Sequence, residues 1–358
     1  MNLRFTMRML GWGCIACQCA FGLFVGSACA GEARQPAPPA FRVSTVSTNG
    51  MPRNIVSAGA DWNFGPGSLW THKGWQYAAF WDDACEVSVA RRQLPGGAWS
   101  VVSLPGYQRT TKINRGRGGA VSRGFGDGHE KVAMGISPDG FLHLAFDHHV
   151  STLHYRRSRL PVAEDPAAHP WSPGLFGPVQ DDLGGPGIED VTYPRFTSDG
   201  VRFILHLRLN GDAGSADSHL FEYAHGRWII NTPQASKLID KHWSGGDRTV
   251  SAYPFGLCLQ NGRRHLAWCW RDTPDASTCH DLCYADSEDN GRTWLNNAGQ
   301  VIGITGQKSL TPDSPGVAVW RIPPGTTYIS GGSISVIGRS GRRISVVDYG
   351  VGARTTPS

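Results

Sequence analysis

Residues 126–158 read GDGHEKVAMGISPDGFLHLAFDHHVSTLHYRRS. An apolar run from Met134 to Ile136 meets the tetrad Ser137-Pro138-Asp139-Gly140. Pro supplies a fixed φ and Gly a positive one, as a tight turn requires. Beyond it Phe141, His143 and Ala145 alternate with Leu142, Leu144 and Phe146, the period-two pattern of a strand. The stretch is therefore predicted as a β-hairpin. His129 precedes it, and His148 and His149 follow it. The two ends of an antiparallel hairpin lie on one side, so these imidazoles are expected to meet at a common rim. Imidazoles brought together there hold both protonation states near neutral pH and suit proton transfer.

The same unit, a Gly turn followed by an apolar strand, recurs along the chain. It stands at Lys73-Gly74-Trp75, Asp139-Gly140-Phe141, Asp199-Gly200-Val201, Asn261-Gly262-Arg263 and Ser340-Gly341-Arg342, so the turn glycines are 66, 60, 62 and 79 residues apart. No amphipathic stretch of helical period interrupts them, and Gly (46) and Pro (23) are abundant. The expectation is an all-β fold, a β-propeller whose blades bury their faces by stacking on one another. Residues 287–294, SEDNGRTW, match the Asp-box pattern S-x-D-x-G-x-T-W in full. Asp289 is expected to accept backbone amides, Gly291 to take positive φ and Trp294 to pack between strands. This box marks a fold and is not itself an active site. About five hairpins can be counted, fewer than a closed propeller usually needs. Either some blades diverge in sequence or the C-terminal end is incomplete.

Arg4 and Arg8, the largely apolar Leu10–Val25 and the small-residue site Ala28-Cys29-Ala30 read as a secretory signal over residues 1–30. Residues 31–48, with their prolines, read as a flexible lead-in to a propeller domain over 49–358. Removing the signal lowers the formal net charge from +5 to +3. That balance suits an anionic polymer but falls well short of a nucleic-acid footprint. The expected protein is secreted or periplasmic, a monomer, with no membrane contact after signal removal.

Three segments carry a family resemblance: His129–Ser158; Val191-Thr192-Tyr193-Pro194-Arg195-Phe196, running on to Leu205-His206-Leu207-Arg208; and His280–Ala285, leading into the Asp box. They resemble the BNR-4 repeat-containing proteins, a group that includes the seven-bladed propeller ulvan lyases. The resemblance implies a seven-bladed propeller and β-elimination on a uronic-acid polysaccharide, with no catalytic cofactor. A base removes the C5 proton, a cation neutralises the uronate carboxylate, and an acid protonates the leaving O4. The family's His, His, Tyr and Arg fall here on His129, His149, Tyr193 and Arg208. His149 is preferred to His148 for its spacing to Leu153 and Tyr155. Arg208 is expected to hold the carboxylate, His129 and Tyr193 to share the base and acid roles, and His149 to neutralise or orient. His148, Arg195 and Tyr253 are further substrate-binding candidates. One departure is Glu130, where related lyases tend to carry Asn; a carboxylate there is expected to perturb His129 or repel a polyanion.

Four cysteines, Cys258, Cys269, Cys279 and Cys283, fall within 26 residues, with His265 and His280 nearby. Such spacing suits a structural zinc, which related lyases are expected to hold, and the best-placed set is Cys269, Cys279, Cys283 and one His, here His265. Disulfides, favoured by an exported location, are the competing reading. Two other functions compete with the lyase: a sialidase-like glycoside hydrolase, needing an arginine triad, and a non-catalytic carbohydrate-binding propeller using its aromatic faces.

Overall fold

The computed structural model describes residues 43–50, 67–112, 121–123, 130–245, 248–260, 262–325, 332–337 and 342–347. The proposed signal, most of the lead-in and His129 lie outside these residues. All the described sheets belong to one compact body, Thr45–Ser358.

The body is built of antiparallel sheets met in chain order. Strands β1 (Leu69–His72), β2 (Trp75–Trp81), β3 (Val87–Gln93) and β4 (Ser100–Leu104) form the first, in sequential order. A short pair, β5 (Thr110–Lys112) and β6 (Val121–Arg123), follows. The next sheet has β7 (Val132–Ile136), β8 (Leu142–Phe146) and β10 (Tyr155–Arg157), while β9 (His149–Ser151) leaves it to pair with the following sheet. That sheet contains β11 (Val191–Ser198), β12 (Phe203–Asp212), β13 (Ser215–Ala224), β14 (Arg227–Ile230) and, after the single turn α1 (Pro233–Ser236), β15 (Lys237–Ile239). The next has β16 (Ser251–Gln260), β17 (Arg263–Arg271), β18 (Cys279–Ser287), β19 (Thr293–Leu295), β20 (Val301–Ile304) and β21 (Ala318–Trp320). One parallel pairing, Ala216 with Ser251, joins these last two sheets. The pair β22 (Gly332–Ile337) and β23 (Arg342–Val347) closes the described chain. Among the described residues no helix is long and apolar enough to cross a membrane.

The recurring glycine unit is the same hairpin in successive sheets. Gly74, Gly140, Gly200 and Gly262 turn β1–β2, β7–β8, β11–β12 and β16–β17, all with φ between 74° and 85°. In the hairpin that opened the sequence reading, Ser137 N donates to Phe141 O at 3.0 Å and Gly140 N to Ser137 O at 2.9 Å.

The core lies between neighbouring sheets. Leu142, Leu144 and Phe146 pack with Tyr77, Trp81 and Val89 of the sheet before them. Ala145 faces the other way, with Phe196, Phe203 and Tyr223 of the sheet after. The strand is buried on both faces, as a blade between two blades must be. A third interface holds Ile204 and Leu220 against Leu266, Trp268, Trp270 and Trp294. The Asp box behaves as its residues require. Asp289 Oδ1 accepts from the Thr293 and Arg292 amides at 2.7 and 3.1 Å, Gly291 has φ 84°, and fully buried Trp294 donates Nε1–H to Gly291 O at 3.0 Å. It staples β18 to β19 at a blade edge.

Candidate active site

Four strands, β9, β11, β12 and β16, bring His149, Tyr193, Arg208 and Tyr253 together. His149 opens β9 and Arg208 lies midway along β12; both register with Thr192 of β11. Tyr193 follows at a bulge between Thr192 and Arg195, with φ 55°. A bulge re-aims a side chain out of the strand's alternation, and here it lays the phenol ring over the guanidinium of Arg208, Cζ to ring centroid 4.6 Å. Tyr253 of β16 covers the same guanidinium at 5.1 Å, and Arg271 of β17 lies over Tyr253 at 5.1 Å. The rings of His149 and Tyr193 are 6.4 Å apart and inclined by 25°.

The local backbone explains why His149 reaches this cluster. Asp147 (φ 62°) and Val150 (φ 58°) are both left-handed, a costly state for a β-branched residue. It is held because Val150 N donates to Thr192 Oγ1 at 2.9 Å and Ser151 Oγ to Asp147 O at 2.8 Å. His148 takes the opposite direction. It is fully buried, its Nε2 accepts from His154 N at 2.8 Å, and burial pushes its pKa well below the usual imidazole value. A neutral, sealed imidazole offers a substrate nothing, so the substrate-binding expectation for His148 does not fit its placement.

Arg208 is 2 % exposed, and its Nε and Nη1 have no hydrogen-bond partner. The nearest carboxylate is Asp212, at the end of the same strand. Its Oδ1 lies 3.7 Å from Arg208 Nη2 and 3.7 Å from His149 Nε2. Those contacts, His149 first, outweigh partial burial and hold the Asp212 carboxyl well below the usual range. Burial raises the Tyr193 pKa, with Arg208 opposing it, so the phenol keeps its proton at neutral pH. Arg271 donates Nε–H to Thr273 O at 3.1 Å, Nη1–H to Tyr253 Oη at 3.3 Å and Nη2–H to Pro274 O. These acceptors fix the guanidinium without neutralising it. Sequence reasoning missed both Asp212 and Arg271. Each ends a long strand beside a turn, a signal too common to single them out.

Arg195 sits deeper in the same sheet, paired with His206 and 2 % exposed. Burial lowers its pKa to about 9 and that of His206 to about 3. Its neighbour is another cation-capable group rather than the open rim. Glu130 is not the cleft carboxylate expected beside His129. It is 6 % exposed, with Oε2 3.4 Å from Arg109 Nη2, and its backbone carbonyl accepts from Trp81 Nε1 at 2.7 Å. Arg109 balances its charge within the protein.

The set expected to hold zinc does not fit it. His265 and Cys269 are four residues apart on β17, about 13 Å along an extended strand, whereas ligands of one zinc ion stand within about 2.3 Å of the metal. His265 Nδ1 and Tyr284 Oη share a hydrogen bond of 2.7 Å. Cys269 and Cys279 pack beneath Tyr253 and Tyr284, but Cys283 turns to the opposite sheet face, with Trp268 and Trp270. The inversion follows Asp281, whose φ is 55°. Among the described residues no three His, Cys, Asp or Glu side chains form a metal-holding group, and no disulfide joins the five described cysteines.

No curated protein sequence matches the chain. Among solved structures it resembles the polysaccharide lyase Uly1, with TM-score 0.59 and 17% identity over 82% of this chain and 64% of that one. It also resembles a PL25 ulvan lyase, with TM-score 0.51 and 14% identity over 76% of this chain and 62% of that one. A structure of a PL25 ulvan lyase bound to -[GlcA(1-4)Rha3S]- matches with TM-score 0.51 and 13% identity, over 75% and 61% of the two chains. The chain thus spans under two thirds of the length of these lyases, and the likeness establishes an all-β propeller fold. The model of the BNR repeat-containing family (BNR_4) matches residues 75–347, which takes in the strands from β2 to β23, the Asp box and the Arg208 cluster, and the chain belongs to that family.

Proposed function

We propose that the protein is an exported polysaccharide lyase that cleaves a uronic-acid-containing, ulvan-like polymer by β-elimination. The observation that carries this reading is Arg208, a buried guanidinium clasped by two tyrosines, with Nε and Nη1 unpartnered. Such a cation gains most from a ligand carboxylate, which it binds through paired N–H donors. Neutralising a uronate carboxylate is what makes the C5 proton removable, because the developing enolate-like charge then faces a fixed cation.

The surrounding groups divide the proton transfers. Tyr193, kept protonated by burial, is suited to donate to the leaving O4. His149 stands beside it as the group that orients or neutralises the carboxylate. Abstraction of the C5 proton falls to His129, on the evidence of its place in the sequence pattern. Arg271, over the outer face of Tyr253, adds positive charge along the path of a polyanionic chain.

The test is ultraviolet absorbance during incubation of the protein with ulvan and other uronate polymers, alongside Tyr193→Phe and Arg208→Gln. Elimination creates an absorbing unsaturated uronate, and both substitutions should abolish the rise. New reducing ends without absorbance would make the protein a hydrolase. Neither signal, from folded protein, would refute enzymatic cleavage of these polymers.

A further inference from the structure

Asp212 has no place in the elimination chemistry above, yet it lies at the centre of the cluster. Its carboxylate meets both His149 Nε2 and Arg208 Nη2 at 3.7 Å. Its Oδ1 accepts from the next backbone amide, Ala213 N, at 2.8 Å, and Ser251 Oγ donates to its carbonyl at 3.2 Å, so the strand end that carries the carboxylate is fixed. The strand reaches this point through an irregular register between Leu209 and Asp212, with Gly211 at φ 153° and no room for a Cβ against Ser215 O. The side chain is nevertheless 57% exposed, whereas Arg208 behind it is 2% exposed.

A guanidinium presents two forks to a carboxylate, Nε with Nη2 and Nη1 with Nη2. Both forks use Nη2, the nitrogen that Asp212 faces. Nη2 carries one N–H along each fork, so with Asp212 3.7 Å from it an incoming carboxylate at either fork meets a second negative charge, and two carboxylates at one guanidinium repel each other. The remaining groups around this point are His149, Tyr193, Tyr253 and Arg271, none of them a carboxylate.

We infer that Asp212 is a placeholder anion: in the ligand-free protein it occupies the position on Arg208 that a substrate carboxylate takes, and it is displaced towards solvent, still tethering His149, when substrate binds. Asp212 is thus a positioning and specificity residue for the proposed reaction. It exacts a penalty that only a ligand with its own carboxylate recovers, which disfavours neutral sugars. The inference rests on the reading of Arg208 as the uronate anchor.

The experiment is an NMR titration of the full protein with methyl β-D-glucuronide, which cannot undergo chain cleavage, and with neutral methyl β-D-glucoside as control. Asp212→Asn preserves shape and the acceptor for Ala213 N–H while removing the charge. Its affinity for the glucuronide should rise at least about fourfold at low salt, the repulsion of two charges roughly 5 Å apart in water, with no change for the glucoside. On ulvan its KM and kcat should fall together, since His149 loses its tether; a purely structural role would not lower KM. Unchanged or weaker glucuronide binding by Asp212→Asn, with binding abolished in Arg208→Gln, would overturn the placeholder inference alone. Glucuronide binding that survives Arg208→Gln, or no binding by any variant, would overturn the anchor reading and the inference with it.

Discussion

Replacing Arg208 by Met should make the protein more stable and inactive. The guanidinium is buried with Nε and Nη1 unpartnered. Two unsatisfied buried nitrogens cost about 2–6 kcal/mol. The rings of Tyr193 and Tyr253, at 4.6 and 5.1 Å, return about 1–4 kcal/mol between them. The contact with half-exposed Asp212 adds about 0–1 kcal/mol. The balance leaves Arg208 destabilising by about 1 kcal/mol, and Met fills a similar volume with an apolar chain that needs no partner. At about 2–4 °C per kcal/mol for a domain of this size, that balance of about 1 kcal/mol should raise Tm by about 2–4 °C. The assay is thermal unfolding of both proteins in one low-salt buffer, paired with the ultraviolet elimination assay. A variant that melts several degrees lower, or that still cleaves ulvan, would refute the reasoning. The first result would make Arg208 a structural cation; the second would remove it from the chemistry.

Acid should destabilise the fold well above the range of carboxylate titration. His143 and His148 are fully buried with pKa values pushed well below the usual imidazole value, and His206 is lowered to about 3, burial being the leading cause in each. The unfolded chain takes up these three protons near pH 6.5 while the folded one does not, so stability is full above that pH and falls as pH drops below it. Between about pH 7 and 5.5 the loss should reach about 3–4 kcal/mol, measurable as a falling urea midpoint; a flat midpoint would show that the histidines charge within the fold. Thr192→Val should leave the Val150 amide without its acceptor, costing about 1–3 kcal/mol. Because that bond holds the left-handed turn that aims His149, kcat should fall far more than Tm, and Thr192→Ser should restore both. Equal kcat in the Val variant would detach the turn from the chemistry.

The part of the candidate site that was legible in the sequence was legible through order. His149, Tyr193 and Arg208 stand in the order that the family resemblance implies, and β9, β11 and β12 are neighbours in one sheet, so their sequence order translates directly into proximity. Asp212 and Arg271 carry no such signal. One reaches the cluster through an irregular strand end and the other from the next sheet. The zinc expectation failed for a related reason. Cysteine spacing measures distance along the chain, but a left-handed residue at Asp281 decides on which face of β18 each thiol lies. Glu130 likewise read as a cleft charge because Arg109, its partner, is 21 residues away.

What the sequence determined alone is what short-range sterics determine. Glycines at turns that demand positive φ, period-two strands between them and an Asp box whose Ser287 and Asp289 turn bonds close within eight residues specify blades, and blades with two apolar faces must stack. Only the tertiary structure decided that His148 is sealed inside, that Arg208 lies between two tyrosines from different sheets, and that a carboxylate stands beside its guanidinium. Each of those depends on a bulge or a left-handed residue reversing a strand's alternation, and on contacts between sheets far apart in the chain, which no local pattern encodes.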